Sequence, residues 1–154
     1  MEDLALFLHL TGALALVAGF VVAGVAFESA RKREAPAEIA LLLGQARWGA
    51  LLAVGGAGLL FVCGLWLVGL EDEVGFGSGW LDAALGLFVV SVLLGALAGR
   101  RPRQARELAE RLARDRAAAT PELRALLNDR ASLFANYASA ALVLAILALM
   151  VFKP

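Results

Sequence analysis

The stretch Leu4 to Phe27, LALFLHLTGALALVAGFVVAGVAF, decides the fold because it has 24 residues, one ionisable side chain and no proline. As an α-helix it rises roughly 36 Å, which is enough to cross a hydrocarbon core about 30 Å thick. Its ionisable residue, His9, is the only histidine in the chain. An imidazole at membrane depth is a candidate functional group. The stretch therefore predicts a membrane-spanning helix with His9 as its candidate site.

Three further stretches have the same character, with Asp82 as their only charged residue. The predicted spans are residues 4–27, 48–70, 80–99 and 131–152. The chain has 154 residues, of which 61% are hydrophobic, and its mean hydropathy is +0.79. A water-soluble fold of ordinary composition cannot bury so much apolar surface. We expect an all-α integral membrane protein, a four-helix bundle that forms a single transmembrane domain over residues 1–154.

The basic residues predict the orientation of these spans. Thirteen of the fourteen Lys and Arg residues lie in segments 28–47 and 100–130, whereas the connection from Glu71 to Gly79 has none. The positive-inside rule then places both basic segments in the cytoplasm and both termini outside. Basic segments that follow an inner-leaflet helix end favour contact with anionic lipid headgroups over nucleic acid. We expect a multi-pass protein of the bacterial plasma membrane.

The second cytoplasmic segment contains a predicted amphipathic helix over residues 104–119. Its acidic residues precede basic ones by four positions, as in Glu107 with Arg111 and Glu110 with Arg114. This order favours ion pairs along one face of a helix. The spacing predicts a short surface helix between the third and fourth spans.

Proline begins the next predicted helix. Thr120 is a plausible N-cap and Pro121 a suitable first residue, because the missing N–H is not needed there. We expect this helix to run unbroken into the fourth span. Pro36 precedes the second span in a similar way, so the two halves of the chain resemble a parallel repeat. The alternative explanation of the similarity is that helices emerging on the cytoplasmic side commonly begin with proline and carry basic residues nearby.

Small residues recur at four-residue spacing within the spans, as expected where helices pack closely in lipid. The series are Thr11, Ala15, Gly19 and Ala23; Gly95 and Gly99; and Ala131, Ala135 and Ser139.

The candidate chemistry depends on a few side chains near the outer ends of the spans. Imidazole, thiolate and thioether groups suit copper or haem iron. His9 and Met150 are therefore the candidate cofactor ligands, and His9 and Cys63 the candidate metal ligands. Gly12 and Ala13 lie one turn after His9 and are expected to leave room for a bulky group.

Structural roles are the alternative for each of these residues. His9 can bond a backbone carbonyl or water, Cys63 can be a small core residue, and Met150 can face lipid. One histidine does not provide bis-histidine haem ligation within a monomer. A dimer does.

Several short motifs stand out along the chain: His9, Gly64-Leu65-Trp66-Leu67, Gly79-Trp80-Leu81 and the final Lys153-Pro154. Together they resemble a bacterial superfamily of four-helix membrane proteins. It includes the copper-resistance D (CopD-like) proteins, the HemJ-type protoporphyrinogen oxidases and a predicted integral membrane family of unknown function, to which the chain is most similar. The resemblance covers nearly the whole chain and implies a haem-binding ancestry at His9.

The chain departs from its enzymatic relatives at one position. HemJ-type enzymes carry a lysine early in the third span, at or near Ala84, but no Lys or Arg occurs between Arg47 and Arg100. This absence argues against protoporphyrinogen oxidation. A copper-transport role lacks the support of a Met-rich or His-rich tract.

Two functional hypotheses follow. The first is a non-catalytic or accessory membrane protein, either a small homo-oligomer or a subunit of a membrane complex. The second is a haem- or copper-binding redox protein that uses His9.

Overall fold

The computed structural model describes residues 1–70 and 79–152, which form helices and turns without a strand. The acidic connection predicted after the second span, the side chain of Trp80 and the Lys153-Pro154 end lie outside the described part. The helices of the described chain are α1 (Glu2–Arg31), α2 (Pro36–Val68), α3 (Gly79–Ala98), α4 (Arg100–Arg114), α5 (Pro121–Leu127) and α6 (Arg130–Phe152).

Four helical stretches are long and apolar enough to cross a membrane. The predicted all-α class with four long apolar helices is therefore confirmed. The helices are longer than the predicted spans and extend past them on the side predicted to be cytoplasmic. The four stretches are Glu2–Arg31, Pro36–Val68, Leu81–Arg114 and Pro121–Phe152.

The chain divides into two compact units, Met1–Gly75 and Phe76–Pro154. The first unit contains the helix pair α1 and α2, and the second contains α3 to α6. The single domain over residues 1–154 and the orientation with both termini outside stay predictions.

In the first unit, glycines allow the backbones of α1 and α2 to touch. A Cβ atom added to Gly12 would lie 2.6 Å from the backbone nitrogen of Leu60, and one added to Gly19 would lie 2.4 Å from that of Ala53. Rising numbers on α1 meet falling numbers on α2, so the pair is antiparallel. Close backbone approach adds to the packing of the buried side chains Leu16 and Leu60 in this pair.

The contact face of α1 repeats every seven residues rather than every four. Gly12 and Gly19 belong to this face, whereas Thr11 is exposed and its hydroxyl donates to the Phe7 carbonyl oxygen 2.8 Å away. The predicted small-residue series was therefore wrong at Thr11. A seven-residue repeat keeps one seam in contact along two nearly aligned helices, which a four-residue repeat cannot do over this length. The buried residues of α1 are Ala5, Gly12, Leu16, Gly19, Ala26 and Ala30.

In the second unit, serines join α3 to α6. The Ser91 and Ser139 hydroxyls lie 3.1 Å apart, and the Ser139 hydroxyl also lies within 3.1 Å of the Ser91 carbonyl oxygen. Two helical turns toward the predicted cytoplasmic side, the Ser132 hydroxyl donates to the Ala98 carbonyl oxygen at 2.8 Å. This pair is also antiparallel. Ser139, the last residue of the third predicted small-residue series, is buried in it.

The amphipathic helix predicted over residues 104–119 exists, but with other bounds. α4 begins at Arg100, immediately after α3, and ends at Arg114. It ends early because Arg116 adopts a positive φ of 50°. The Ala117 N–H then donates to the Leu112 carbonyl at 2.9 Å and the Arg116 N–H to the Ala113 carbonyl at 3.3 Å. These two bonds form a Schellman motif, which closes a helix.

The ion pairs of α4 differ from those predicted. Each glutamate pairs with the arginine one turn before it, Arg103 with Glu107 at 3.2 Å and Arg106 with Glu110 at 2.7 Å. The helix begins earlier than expected, so Arg103 is helical and within reach of Glu107, whereas Arg106 already lay inside the predicted helix.

The start of α5 agrees with the prediction, but its continuation does not. Thr120 caps the helix by accepting the Leu123 N–H at 3.3 Å, and Pro121 is the first residue. The expected unbroken run into the fourth span was wrong, because α5 ends at Leu127 and α6 begins at Arg130. Asp129 starts the new helix by accepting the Ser132 N–H at 2.9 Å.

Candidate functional site

The His9 side chain extends from α1 to the backbone of α2. Its Nδ1 lies 3.0 Å from the carbonyl oxygen of Leu60, and the residue is half-buried. A carbonyl oxygen only accepts hydrogen bonds, so Nδ1 carries the proton and donates. In the neutral imidazole this leaves the lone pair on Nε2. Of the alternatives considered for His9, the bond to a backbone carbonyl is present.

Gly64 provides the space for the imidazole ring. A Cβ atom at this position would lie 3.2 Å from Cε1 and 3.3 Å from Nδ1 of His9. Those separations are shorter than ordinary carbon contacts of about 3.5–4.0 Å. Gly64 follows Leu60 by one helical turn, so the carbonyl that accepts from the ring and the glycine that makes room for it lie on the same face of α2.

The room expected next to His9 at Gly12 does not exist. The position that a Gly12 side chain would occupy lies 2.9 Å from the Gly56 carbonyl oxygen and 2.6 Å from the Leu60 nitrogen. The expectation was wrong for Gly12 because the backbone of α2 fills that space. The α2 backbone therefore lies where the bulky group was expected.

The second ring nitrogen of His9, Nε2, does not take part in the bond to Leu60. No described side chain donates to it or accepts from it, and no buried side-chain nitrogen or oxygen in the described part of the chain lacks a partner. Nε2 is therefore accessible at the protein surface rather than enclosed. A neutral imidazole whose Nδ1–H is held by a carbonyl presents its Nε2 lone pair in the form that binds metals.

The other candidate ligands have different surroundings. Cys63 is buried on α2, where it is 3% exposed, and its neighbour in sequence is Gly64. Met150 is half-buried on α6, which belongs to the other compact unit. Among the described residues, no three His, Cys, Asp or Glu side chains form a group that could hold a metal ion. The ligand roles of His9, Cys63 and Met150 stay predictions.

Two residues of this site were not predicted from their chemistry. Leu60 acts through its backbone, which carries no sequence signal. Gly64 is one of six glycines in the second predicted span, and the others include positions such as Gly55 and Gly58 with no atom near an added Cβ. Gly64 was part of the family resemblance, but composition alone did not distinguish it.

Ala84 is the residue at or near which the resemblance to HemJ-type enzymes implies a lysine. Ala84 is 3% exposed, so the side chain at this place on α3 is almost fully enclosed. The packing around this position accommodates a small side chain.

The chain was compared with known proteins and families. No curated protein and no solved structure matches it. One family model, described as a predicted integral membrane protein (DUF2269), matches residues 3–154. The match covers almost the whole length, and four long apolar helices are what such a family requires. The chain belongs to this family of predicted integral membrane proteins and is a multi-pass membrane protein.

Proposed function

We propose that the protein binds haem in the membrane and that His9 supplies an axial ligand through Nε2. The observation that carries the proposal is the hydrogen bond between Nδ1 of His9 and the Leu60 carbonyl. Histidines that bind metals almost always donate their other ring N–H to a carbonyl, a carboxylate or water, which sets the tautomer and the ring orientation. The same ligand is what the resemblance of the sequence motifs to CopD-like and HemJ-type proteins implies.

The residues around His9 fit this role. The Leu60 carbonyl makes the imidazole more electron-rich, and Gly64 permits the ring to lie against α2. The Nε2 atom is left accessible from outside the helix pair. A bound haem would supply one-electron chemistry, with a potential set by its axial ligands and their hydrogen bonds.

Haem held by His9 would take a second axial ligand, for which His9 of a second copy is the proposed source. Met150, which lies in the other compact unit, stays a sequence-based prediction. Copper held by His9 and Cys63 is the corresponding metal proposal. Oxidation of protoporphyrinogen is not part of it, because the third-span lysine is absent.

The test is an absorption spectrum of the protein purified in mild detergent, with and without added haem. His9→Asn is the informative variant because its amide N–H can still donate to the Leu60 carbonyl while the ring nitrogen is lost. We expect a Soret band in the original protein and none in His9→Asn. A Cys63→Ala variant serves as the matched control and should keep the haem band, whereas it should lose any copper bound by His9 and Cys63. Absence of the band from the original protein after haem addition would contradict the haem proposal.

A second candidate is an accessory role without catalysis, in a homo-oligomer or a membrane complex. It is favoured by the outward faces of α1 and α2, which carry large, exposed apolar side chains. Five of these are Phe7, Leu14, Val25, Trp48 and Val54, all more than 60% exposed. Cross-linking in native membranes would test this role, and a stoichiometric partner without a cofactor would support it.

The basic segments suggest the surroundings of the protein. We propose that segments 28–47 and 100–130 contact anionic lipid headgroups and that the protein lies in the inner membrane of a bacterium. Each basic residue near an anionic surface contributes about 1 kcal/mol to the attraction. Weaker retention of the protein by anionic than by zwitterionic nanodiscs would contradict the lipid contact.

A further inference from the structure

Both helices of the α3–α6 pair have an irregularity at the same level. Helical bonds continue on either side of the first one, since the Gly99 N–H donates to the Gly95 carbonyl at 3.0 Å and the Gly99 carbonyl accepts the Arg103 N–H at 3.3 Å. The break between α3 and α4 is at Gly99, and the break between α5 and α6 is at Asn128 and Asp129. The Ser132 hydroxyl, which begins α6, reaches the carbonyl of Ala98, the last residue of α3. Two breaks that face each other divide the second unit into a membrane part and an arm formed by α4 and α5.

Pro102 explains the first break. Proline has no N–H and its ring crowds the carbonyl four residues before it, which here is that of Ala98. The hydrogen bond that would continue the helix across this point is therefore missing. The Ser132 hydroxyl replaces it by donating to the Ala98 carbonyl oxygen at 2.8 Å, and both residues are buried. A bond within one helix has become a bond between two.

Asp129 joins the two breaks a second time. Its Oδ2 accepts the Ser132 N–H at 2.9 Å and thereby caps α6. Its Oδ1 lies 3.9 Å from Nε of Arg101, in the first turn of α4. Ser132 and Asp129 together form a latch across the two breaks, with Ala98 and Arg101 on the other side.

The arm has packing of its own. Ala105 and Ala109 of α4 and Leu123 and Leu127 of α5 are each 0% exposed, and α4 and α5 are in contact. The Schellman motif at Arg116 and the Thr120 cap close the two facing helix ends. The arm is therefore a small helix hairpin with buried residues on both of its helices.

We propose that the α4–α5 arm is hinged at Gly99 and Asn128 and that the latch of Ser132 and Asp129 holds it in line with the α3–α6 pair. Opening the latch turns the arm and moves the basic face of α4. An arm of 15 helical residues is about 22 Å long, so a turn of about 20° moves its tip by roughly 8 Å. This device is independent of any ligand at His9.

Spin-label distances in the full-length protein test the hinge. On a Cys63→Ala background, the pair Leu93→Cys with Arg111→Cys measures across the hinge, and the pair Arg111→Cys with Ala125→Cys measures within the arm. Opening the latch with Ser132→Ala and Asp129→Asn should shift or broaden the first distance by several ångströms and leave the second unchanged. Asn is as good an N-cap as Asp, so the cap of α6 is kept while the charge facing Arg101 is lost.

Two controls make the result specific. Ser91→Ala removes a buried hydroxyl from the same helix pair but away from the breaks, and it should leave both distances unchanged. Adding Gly99→Ala to the protein with the opened latch should narrow the distribution of distances across the hinge, because alanine favours a continuous helix there. Unchanged distances in the opened protein, or a broadened distance within the arm, would overturn the proposal.

Discussion

At the scale of single residues, the feature with the most direct bearing on function is the packing of the His9 ring against α2. One hydrogen bond to Leu60 holds the ring, and one missing side chain at Gly64 accommodates it. Interhelical hydrogen bonds in membrane proteins contribute about 0.6 kcal/mol on average and up to about 1.7 kcal/mol. His9 therefore has a measurable structural role, separate from any ligand that it binds.

We predict that His9→Ala lowers the free energy of unfolding by about 1 kcal/mol. His9→Asn should lower the free energy of unfolding by less, because the asparagine side-chain N–H can replace Nδ1 as donor to the Leu60 carbonyl. Unfolding in mixed detergent micelles, followed by circular dichroism, measures both. Equal losses in the two variants would show that the hydrogen bond does not matter for stability.

Gly64→Ala should destabilise the protein by about 1 kcal/mol, because the added methyl group moves the imidazole out of its position. The same substitution should cost nothing in a His9→Ala protein, where no ring is displaced. The double-mutant cycle gives the coupling between the two residues. Gly58→Ala is the control, since no atom lies near an added Cβ there. Additive effects of Gly64→Ala and His9→Ala would contradict the fit.

At the scale of helices, two kinds of seam hold the pairs together. α1 and α2 rely on backbone contact at glycines, and α3 and α6 on serine hydroxyls. Both pairs also bury large apolar side chains, such as Leu16 and Leu60 in the first and Ile146 in the second. Lipid offers such side chains surroundings about as favourable as the protein interior. In the first pair, a substitution that adds atoms at a glycine contact should therefore be more destabilising than one that removes apolar surface.

Gly19→Ala should destabilise the α1–α2 pair by about 1–3 kcal/mol, since overpacking forces the backbones apart. The added methyl group would lie 2.4 Å from the Ala53 nitrogen and 2.6 Å from the Gly49 carbonyl oxygen. Gly24→Ala is the matched control on the same helix, with open space around the new atom. It should be neutral or stabilise by up to about 1 kcal/mol. Unfolding midpoints of the two variants in detergent give the comparison, and similar midpoints would contradict this packing.

The end of α4 offers a prediction of the opposite sign. Arg116 has a φ of 50°, which costs an L-residue roughly 1–2 kcal/mol and glycine little. Arg116→Gly should therefore stabilise the arm by about 1 kcal/mol. Hydrogen exchange at the Arg116 and Ala117 amides reports this local stability. Ala117→Gly, one residue later, should speed exchange instead, and faster exchange in both variants would argue against the Schellman motif.

At the scale of the whole molecule, charge determines which side of the membrane each segment faces. Thirteen of fourteen basic residues fall in two segments. We predict that, on a Cys63→Ala background, Glu2→Cys is labelled by an impermeant maleimide in intact cells. Arg116→Cys should be labelled only after the membrane is opened. The reverse pattern would overturn the orientation with both termini outside.

The sequence by itself determined the fold class, the four long apolar helices and the N-terminal signals at Thr120 and Pro121. These features depend on composition, length and local backbone chemistry, which are written in consecutive residues. It also singled out His9, because a lone imidazole in an apolar helix is visible without a structure.

Only the tertiary structure decided which contacts these elements make. The seven-residue seam of α1, the place of His9 on Leu60 and Gly64, and the paired breaks at Gly99 and Asp129 all join residues distant in sequence. The physical reason is that a small residue is favourable at a seam and harmless at a lipid-facing position. Its role depends on what another helix places against it, as the contrast between Gly64 and Gly58 shows.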